Sequence, residues 1–286
     1  MEENQYLDLI KRIIDENFES LDRTNIGTLS TFGVNMKFDL SKGFPILTTK
    51  KIHLKSIIEE LLWFIKGSTD GEILINKNVN IWKMNGSREF LDQRGLNNYK
   101  ENDLGPIYGF QWRHFGAEYI NKDTNYDGKG FDQLQDCIDK IKNDPNNRRI
   151  LLSSWNPIDI PKMALPPCHV LLQFFVKEGK LSSLLYQRSA DVGLGMPFNI
   201  CSYALLTHMI AQVTNLEVGN FIYNIGNAHI YINHIDKLKE QINRIPYEFP
   251  KLIINKEKKN INDFIYDDFK LENYNYHPII KLPFAL

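Results

Sequence analysis

The 286-residue sequence predicts one α+β domain, in which helices and strands follow one another without strict alternation. Segments with apolar residues at helical spacing are interspersed with segments in which apolar residues alternate. No internal repeat and no linker rich in Pro or Ser divides the chain. With 43% hydrophobic residues, a chain of this length can bury a large core. We therefore expect residues 1–286 to form a single domain.

Apolar spacing predicts the first elements of this domain. Helical spacing indicates an amphipathic helix over residues 1–20, ending before Asp22. Alternation over 32–38 indicates a half-buried strand. A second helix is expected over 53–65, where Gly67 is well placed to end it, because glycine adopts the left-handed conformation common at helix ends.

The middle of the chain is rich in Asn, Asp and Gly. Residues 86–130 are therefore predicted to form long surface loops around a short ordered segment at 105–113. A further helix is predicted over 131–141, and Asp144-Pro145 should end it. We attach no function to the loop over 86–105.

The second half of the chain supplies most of the predicted sheet. Strands and helices are both expected here, the helix over 197–213 should be buried, and Glu178-Gly179 should form the turn of a hairpin. The predicted strands are 150–155, 169–176, 181–188 and 221–225, and the predicted helices are 197–213 and 232–242. The remaining residues should form short strands and loops.

Charge and cysteine content exclude several classes of protein. A net charge of -1 and a pI near 6.7 provide no broad basic surface for nucleic acid or an anionic membrane, so an anionic partner should be small. The first ten residues lack the basic start and apolar run of a signal peptide, and we expect a soluble, cytoplasmic protein. Three cysteines without a C-x-x-C pair indicate reduced thiols and no zinc site.

Cys168 is the first candidate for chemistry. It lies in M-A-L-P-P-C-H-V, where two prolines stiffen the backbone before an apolar strand. A buried structural cysteine is the alternative, and it stands for Cys137 and Cys201, which lie in apolar helical patterns. A Cys168–His169 metal pair or catalytic dyad is disfavoured, because adjacent strand residues point to opposite faces.

Arginines in apolar or turn-like settings are the second candidates. Arg23, Arg148, Arg149 and Arg188 can each bind a phosphate through two guanidinium N–H groups, although a surface ion pair is the alternative for any one of them. On the predicted hairpin, Arg188 can lie beside Cys168. A cation there would favour the thiolate and bind an anionic substrate.

Seven segments, found in a fixed order along the chain, carry a specific resemblance to a known family. They run from residue 22 to the last quarter of the chain, and the sequence resembles thymidylate synthase across them: D-R-T-N-I-G-T-L-S, F-P-I-L-T-T-K-K, E-E-L-L-W-F-I-K-G, D-L-G-P-I-Y-G-F-Q-W, M-A-L-P-P-C-H-V, Y-Q-R-S-A-D-V-G-L-G-M-P-F-N-I and H-I-Y-I-N-H. The resemblance implies a large mixed β-sheet packed by helices, with one sheet face used for dimerisation. It also implies reductive methylation of dUMP to dTMP by 5,10-methylenetetrahydrofolate, which leaves as dihydrofolate, and no metal.

The resemblance assigns catalytic roles to matching positions. Cys168 would add to C6 of the pyrimidine, and Glu60 would organise water for proton exchange at O4. Tyr108 would assist removal of the C5 proton, while Asn199 would bind the N3–H and O4 edge. The implied catalytic set is Cys168, Glu60, Tyr108, Asn199, Arg188 and Asp191.

Binding roles follow from the same resemblance. The ribose 3'-hydroxyl would be held by His229 and Tyr231, and the phosphate by Arg23, Arg188 and Ser189 with Arg148 and Arg149 of a second subunit, which implies a homodimer. The folate would be bound by His53, Trp82, Asp191 and Ala285, with Ala285-Leu286 closing over the ligands as a lid.

The sequence departs from the family pattern at a few positions. Asn227 stands where an acid is usual, and Lys83 and Asn85 follow the Trp82 position in place of an acid and a second tryptophan. Ala190, Gly193 and Leu286 are further departures. Two rival functions remain at this point: a dUMP or dCMP hydroxymethylase of the same superfamily, and a catalytically silent nucleotide- or RNA-binding homologue.

Overall fold

A computed structural model describes residues 1–21 and 26–284. Its helices are α1 (Asn4–Glu16), α2 (Leu54–Ile65), α3 (Glu72–Ile75), α4 (Arg88–Gln93), α5 (Tyr108–His114), α6 (Gln133–Asn143), α7 (Gly195–Val213) and α8 (Ile235–Ile242). Its strands are β1 (Glu19–Ser20), β2 (Thr28–Asp39), β3 (Leu151–Ser153), β4 (His169–Lys177), β5 (Lys180–Asp191), β6 (Glu217–Tyr231), β7 (Lys251–Ile254) and β8 (Phe269–Glu272). Within these residues, no helix combines the length and the apolar character needed to cross a bilayer.

One six-stranded mixed sheet organises the fold, in the order β1-β2-β6-β5-β4-β3, and β7 and β8 form a separate pair. Neighbours in the large sheet are antiparallel except for β5 and β6, which are parallel. Parallel neighbours need a long crossover, and α7 provides it. The predicted class, α+β with a large mixed sheet packed by helices, is confirmed.

Helix α7 is buried on nearly every side, which explains why its sequence is apolar all round. It contacts β5 and β6 of the sheet on one side and α2 on the other, so little of its surface meets water. Inward side chains such as Leu185 and Tyr223 of the sheet are fully buried. The opposite face of the sheet is open, with Phe175 61% and Tyr186 41% exposed.

The N-terminal helix is shorter than predicted. It ends at Glu16, because Asn17 adopts a left-handed conformation with φ 48° and its backbone N–H caps the Ile13 carbonyl. The chain then turns into β1, where Ser20 pairs with Thr28 of β2. The helical spacing of Phe18 was therefore misleading.

Other boundaries also differ from the predictions. Helix α4 lies where a loop was expected, and Ser87 begins it by accepting a hydrogen bond from the Phe90 backbone. The short helix α3 lies in a stretch for which no element was predicted. Strand β3 is shorter than 150–155, β6 extends far beyond 221–225 on both sides, and a single 3-10 turn (Ile232–His234) precedes α8.

The predicted hairpin between β4 and β5 is confirmed. Both turn residues have positive φ, 52° at Glu178 and 73° at Gly179, as a two-residue turn of this kind requires. Gly67 also has positive φ, 68°, immediately after α2. The hairpin fixes the register that brings the start of β4 beside the end of β5.

Candidate active site

A cavity of about 340 Å³ lies where α2, the start of β4, the end of β5 and the start of α7 meet. It gathers three of the predicted catalytic residues, and its lining is Glu60, Ile81, His169, Asp191, Leu194, Gly195, Phe198, Asn199, Tyr231 and Phe284. Because β5 and β6 are parallel, their carboxyl ends lie together at this edge, with Asp191 paired to His229.

Cys168 is held at the bend immediately before β4. Its backbone N–H donates to the Tyr108 hydroxyl at 2.8 Å, and its carbonyl accepts from the Arg188 backbone N–H at 2.9 Å. The residue is partly exposed, whereas Cys137 and Cys201 are buried as expected of structural cysteines. A fixed and accessible thiol is what a covalent nucleophile requires.

Arg188 lies against this thiol, as the hairpin predicted. Its Nη2 is 3.8 Å from Cys168 Sγ, and its Nε donates to the Pro167 carbonyl at 2.8 Å. The guanidinium also stacks over Trp155, with 5.6 Å from Cζ to the ring centroid. The cation therefore sits in a fixed orientation from which it stabilises negative charge on sulfur.

His169 was set aside in the sequence as a partner for Cys168, yet it forms part of the cavity wall. Its ring stacks on Tyr108 with 4.3 Å between centroids, and Nδ1 lies 2.8 Å from the Tyr203 hydroxyl. Burial, with Arg188 nearby, lowers the pKa of His169 to about 3. The imidazole is therefore neutral, and it acts as a hydrogen-bonding group of fixed polarity.

The orientation of the Asn199 amide follows from its neighbours. Its Nδ2 donates to Nε2 of the neutral His169 at 3.1 Å, and its Oδ1 accepts from Gln187 Nε2 at 3.1 Å. Gln187 is itself oriented by the Tyr223 hydroxyl, which donates to Oε1 at 2.6 Å. The amide cannot flip without breaking both contacts.

Glu60 and Glu59 have different surroundings. Glu60 lines the cavity and accepts a hydrogen bond from Trp82 Nε1 at 2.7 Å, while Glu59 forms an ion pair with Lys77 at 2.6 Å. Burial raises the pKa of Glu60 to about 7, against the opposing hydrogen bond from Trp82. A carboxyl group that titrates near neutrality can both give and accept a proton.

The end of β6 carries the predicted ribose pair. His229 and Tyr231 point to the same side of the strand, with 5.4 Å between their ring centroids. The amide oxygen of Asn227 lies 2.9 Å from His229 Nδ1, so it accepts the Nδ1 proton and fixes the tautomer of this imidazole. Ser189 lies across from Asn227 on β5.

Asp191 ends β5 at the cavity. Its Oδ1 accepts from the backbone N–H groups of Gly193 at 2.8 Å and Leu194 at 3.2 Å, which holds the turn into α7. His53 precedes α2, with Nδ1 2.8 Å from Ser56 Oγ, and it does not line the cavity. Trp82 is 7% exposed and reaches the cavity through its contact with Glu60.

The predicted phosphate ligands divide between two places. Arg188 lies beside Cys168, whereas Arg148 and Arg149 are exposed on the loop after α6 and do not line the cavity of the same chain. Arg23, Ala285 and Leu286 lie outside the described residues. Across residues 1–21 and 26–284, His, Cys, Asp and Glu form no group of three that could hold a metal ion.

Residues missed in the sequence act through other side chains. His169, Gln187 and Trp155 set the orientation of Asn199 or Arg188 without carrying a recognisable pattern of their own. Gln187 directly precedes Arg188 in Y-Q-R-S and His169 directly follows Cys168 in P-P-C-H, and these positions were the available signals.

Comparison with known proteins agrees with the motif pattern. A family model described as thymidylate synthase matches residues 4–286. The thymidylate synthases of Candida albicans and Homo sapiens are each 55% identical, over 99% of this chain and over 98% and 91% of their own lengths. The bifunctional dihydrofolate reductase-thymidylate synthase of Paramecium tetraurelia is 54% identical over all of this chain, which spans 62% of that protein. The chain spans about half to three-fifths of the bifunctional relatives it matches, 55% for that of Zea mays.

Proposed function

Since the chain belongs to the thymidylate synthase family, we propose that it converts dUMP to dTMP by reductive methylation, with 5,10-methylenetetrahydrofolate as the donor of the carbon and of a hydride. The observation that carries the proposal is the fixed thiol of Cys168, 3.8 Å from the Arg188 guanidinium, beside a cavity that contains Asn199 and Glu60. This set supplies a nucleophile, an anion partner and groups for a pyrimidine edge.

Attack by Cys168 begins the reaction. C5 of uracil is a weak nucleophile until a thiolate adds at C6, which moves electrons onto O4 and gives an enolate. The amide of Asn199 presents a donor for O4 and an acceptor for N3–H. Glu60, with its pKa near 7, exchanges a proton with O4 through water.

Carbon transfer and reduction follow at C5. The enolate attacks the methylene carbon of the folate iminium, and Tyr108 with a water accepts the C5 proton. Elimination of tetrahydrofolate leaves an exocyclic methylene, which takes a hydride from that folate. The product is a methyl group and dihydrofolate, and Cys168 leaves C6. Trp82 keeps water from the methylene.

The amide of Asn199 favours uracil over cytosine in this proposal. Its oxygen is oriented to accept a hydrogen bond from N3–H of uracil, whereas N3 of cytosine carries no proton and can only accept. The hydroxymethylase and the silent binder therefore become outcomes of the test.

We also propose a cytoplasmic homodimer that forms through the open face of the sheet. The exposed Phe175 and Tyr186 on β4 and β5 provide an apolar surface for a second copy. The exposed Arg148 and Arg149 would reach the phosphate bound in the partner. The partner copy thus completes each site.

Mixing two inactive chains tests the shared site. Cys168→Ser and Arg149→Ala chains should regain activity in heterodimers, because one of the two sites then has both an intact thiol and an intact arginine. About a quarter of wild-type activity is expected for free exchange of subunits. Two Cys168→Ser chains carrying different tags provide the control. Confirmed exchange without activity would contradict the shared site.

The reaction itself is tested with dUMP and methylenetetrahydrofolate. Dihydrofolate absorbance is followed while mass spectrometry identifies the nucleotide. Equal amounts of dTMP and dihydrofolate are expected. Hydroxymethylated nucleotide with tetrahydrofolate would replace this function with that of a hydroxymethylase, and no turnover with dUMP or dCMP would leave a binding protein.

A further inference from the structure

His234 lies fully buried between the cavity and the C-terminal segment. Its Nε2 is 2.7 Å from the Pro283 carbonyl, so Nε2 carries a proton and donates it. Nδ1 has no hydrogen-bond partner within the described part of the chain, and it is 3.8 Å from Asp191 Oδ1. A buried and unpartnered nitrogen beside a carboxylate calls for an explanation.

Gly193 is shaped around this imidazole. A Cβ at this position would lie 2.7 Å from His234 Nδ1 and 3.0 Å from Leu282 Cδ1. The φ of Gly193 is not in the left-handed region, so the need for glycine here is steric. The departure from bulkier family residues at this position is therefore linked to the close approach of His234.

The turn that carries Gly193 is held from several directions. Lys50 Nζ donates to the Gly193 carbonyl at 2.6 Å, and the Tyr6 hydroxyl donates to the Val192 carbonyl at 2.9 Å. By contrast, Phe284 lines the cavity while 71% exposed. The turn is thus a fixed platform, and Phe284 still has apolar surface that a ligand can cover.

We propose that His234 is a positioning residue that couples ligand binding at Asp191 to docking of the segment Leu282–Phe284. The proposal rests on the proposed function, because the ligand is the reduced folate. A pterin ring that donates N–H groups to Asp191 and packs on Phe284 stabilises the docked segment. The imidazole ties the Pro283 carbonyl to the Asp191 turn, so docking and binding strengthen each other reciprocally.

Hydrogen–deuterium exchange of the peptide 276–286 tests this coupling in the presence of dUMP and tetrahydrofolate. Tetrahydrofolate lacks the transferable carbon, so no turnover intervenes. In the wild type it should slow exchange of this peptide. In His234→Leu the slowing should be lost and the dissociation constant for tetrahydrofolate should rise about tenfold, as expected for loss of one buried hydrogen bond.

Three further variants control the result. His277→Leu removes an exposed histidine contact, 2.9 Å from Nε2 to the Ile245 carbonyl, away from the cavity, and its dissociation constant for tetrahydrofolate should equal that of the wild type. His234→Gln retains an N–H near Nε2 and should recover part of the protection. Gly193→Ala should act like His234→Leu without removing the imidazole, which keeps the test valid if His234→Leu fails to fold.

Several outcomes would overturn the coupling. They are an absence of protection in the wild type, full protection with affinity within twofold in His234→Leu, or equal losses in His277→Leu. The assay is independent of turnover. If no dTMP forms but protection depends on His234, the reaction proposal fails alone; if dTMP forms and protection ignores His234, the coupling fails alone.

Discussion

The two sides of the cavity are built differently. On the pyrimidine wall, which we define as His169, Gln187 and Asn199, Asn199 is hydrogen-bonded to both of the other side chains. Tyr203 and Tyr223 form the hydrogen bonds at the two ends of this network. On the folate wall, which we define as Glu60, Trp82, Asp191, His234 and Phe284, the side chains do not form one connected hydrogen-bond network. Glu60 is bonded to Trp82, Asp191 and His234 are bonded to backbone groups, and Phe284 is 71% exposed.

This difference separates recognition from closure. A network in which each polar atom has a partner fixes hydrogen-bond polarity before substrate arrives, and it includes a histidine that burial keeps neutral. The folate wall instead has a carboxyl group that titrates near pH 7, on Glu60, and an exposed aromatic ring, on Phe284. Substitutions on the two walls should therefore fail in different ways.

The largest effect should come from the nucleophile beside the pyrimidine wall. Cys168→Ser should lower kcat by at least about 10⁴-fold, because a hydroxyl is a far weaker nucleophile than a thiolate. Binding of dUMP, measured by calorimetry, should change little. Cys137→Ala, which alters a buried thiol on α6, is the control. Ordinary turnover by Cys168→Ser would remove the covalent mechanism.

Changing the polarity of the pyrimidine wall should have the next largest effect. Asn199→Asp removes the N–H that His169 accepts and should lower kcat/KM for dUMP about 10²- to 10³-fold. The ratio of dCMP to dUMP activity should rise. Asn243→Asp adds the same charge on an exposed position after α8. Equal selectivity in Asn199→Asp and wild type would show that the network does not set recognition.

On the folate wall, Glu60→Gln should lower kcat about 10²-fold and remove an inflection near pH 7 from the rate profile. Folding raises the pKa of Glu60 from 4.5 to about 7, so the folded protein binds this proton more tightly than the unfolded chain. The resulting stability is complete below pH 4.5 and is lost as pH rises through about 7.

Glu60→Gln should therefore be more stable than wild type at pH 8, measured by urea unfolding. Glu59→Gln is the control, because Glu59 is paired with Lys77 outside the cavity lining. If the pH–rate profile of Glu60→Gln keeps the inflection near pH 7, that inflection belongs to another group.

The smallest effect should come from the far end of the pyrimidine wall. Tyr223→Phe leaves the Gln187 oxygen without its donor, which costs about 1–3 kcal/mol in stability and should lower kcat/KM about tenfold. Tyr119→Phe removes a buried hydroxyl in the separate Phe110 and Tyr126 cluster. It should lower stability alone, and an equal loss of activity there would contradict the special role of the network.

Much of the fold was predictable because apolar spacing reports which face of an element is buried. Helix α2, helix α7 and the hairpin at Glu178-Gly179 follow that rule. The spacing of Phe18 failed, since the local conformation of Asn17 ended the helix first. Helix α4 was missed because six residues with one buried side chain leave too short a pattern.

The candidate site was predictable where motifs name residues, and less so where residues act through others. The resemblance selected Cys168 and Asn199 directly. The roles of His169 and Gln187 depend on hydrogen bonds to residues distant in sequence, such as Tyr203 and Tyr223, which no local pattern encodes. The sequence argument about His169 considered only that adjacent strand residues point to opposite faces. The hydrogen-bond partners of its imidazole, Tyr203 and Asn199, lie on α7.

The parallel pairing of β5 with β6 also has a consequence for the growing chain. During synthesis, Cys168 and Arg188 are made before β6, which supplies the neighbouring strand for β5 and carries His229. Until residue 217 and those after it are available, the edge of β5 is unpaired and open to other chains. The site is thus completed late in synthesis. A chain interrupted within α7 would carry the nucleophile without a formed pocket, and the unpaired edge of β5 could pair with strands of other chains.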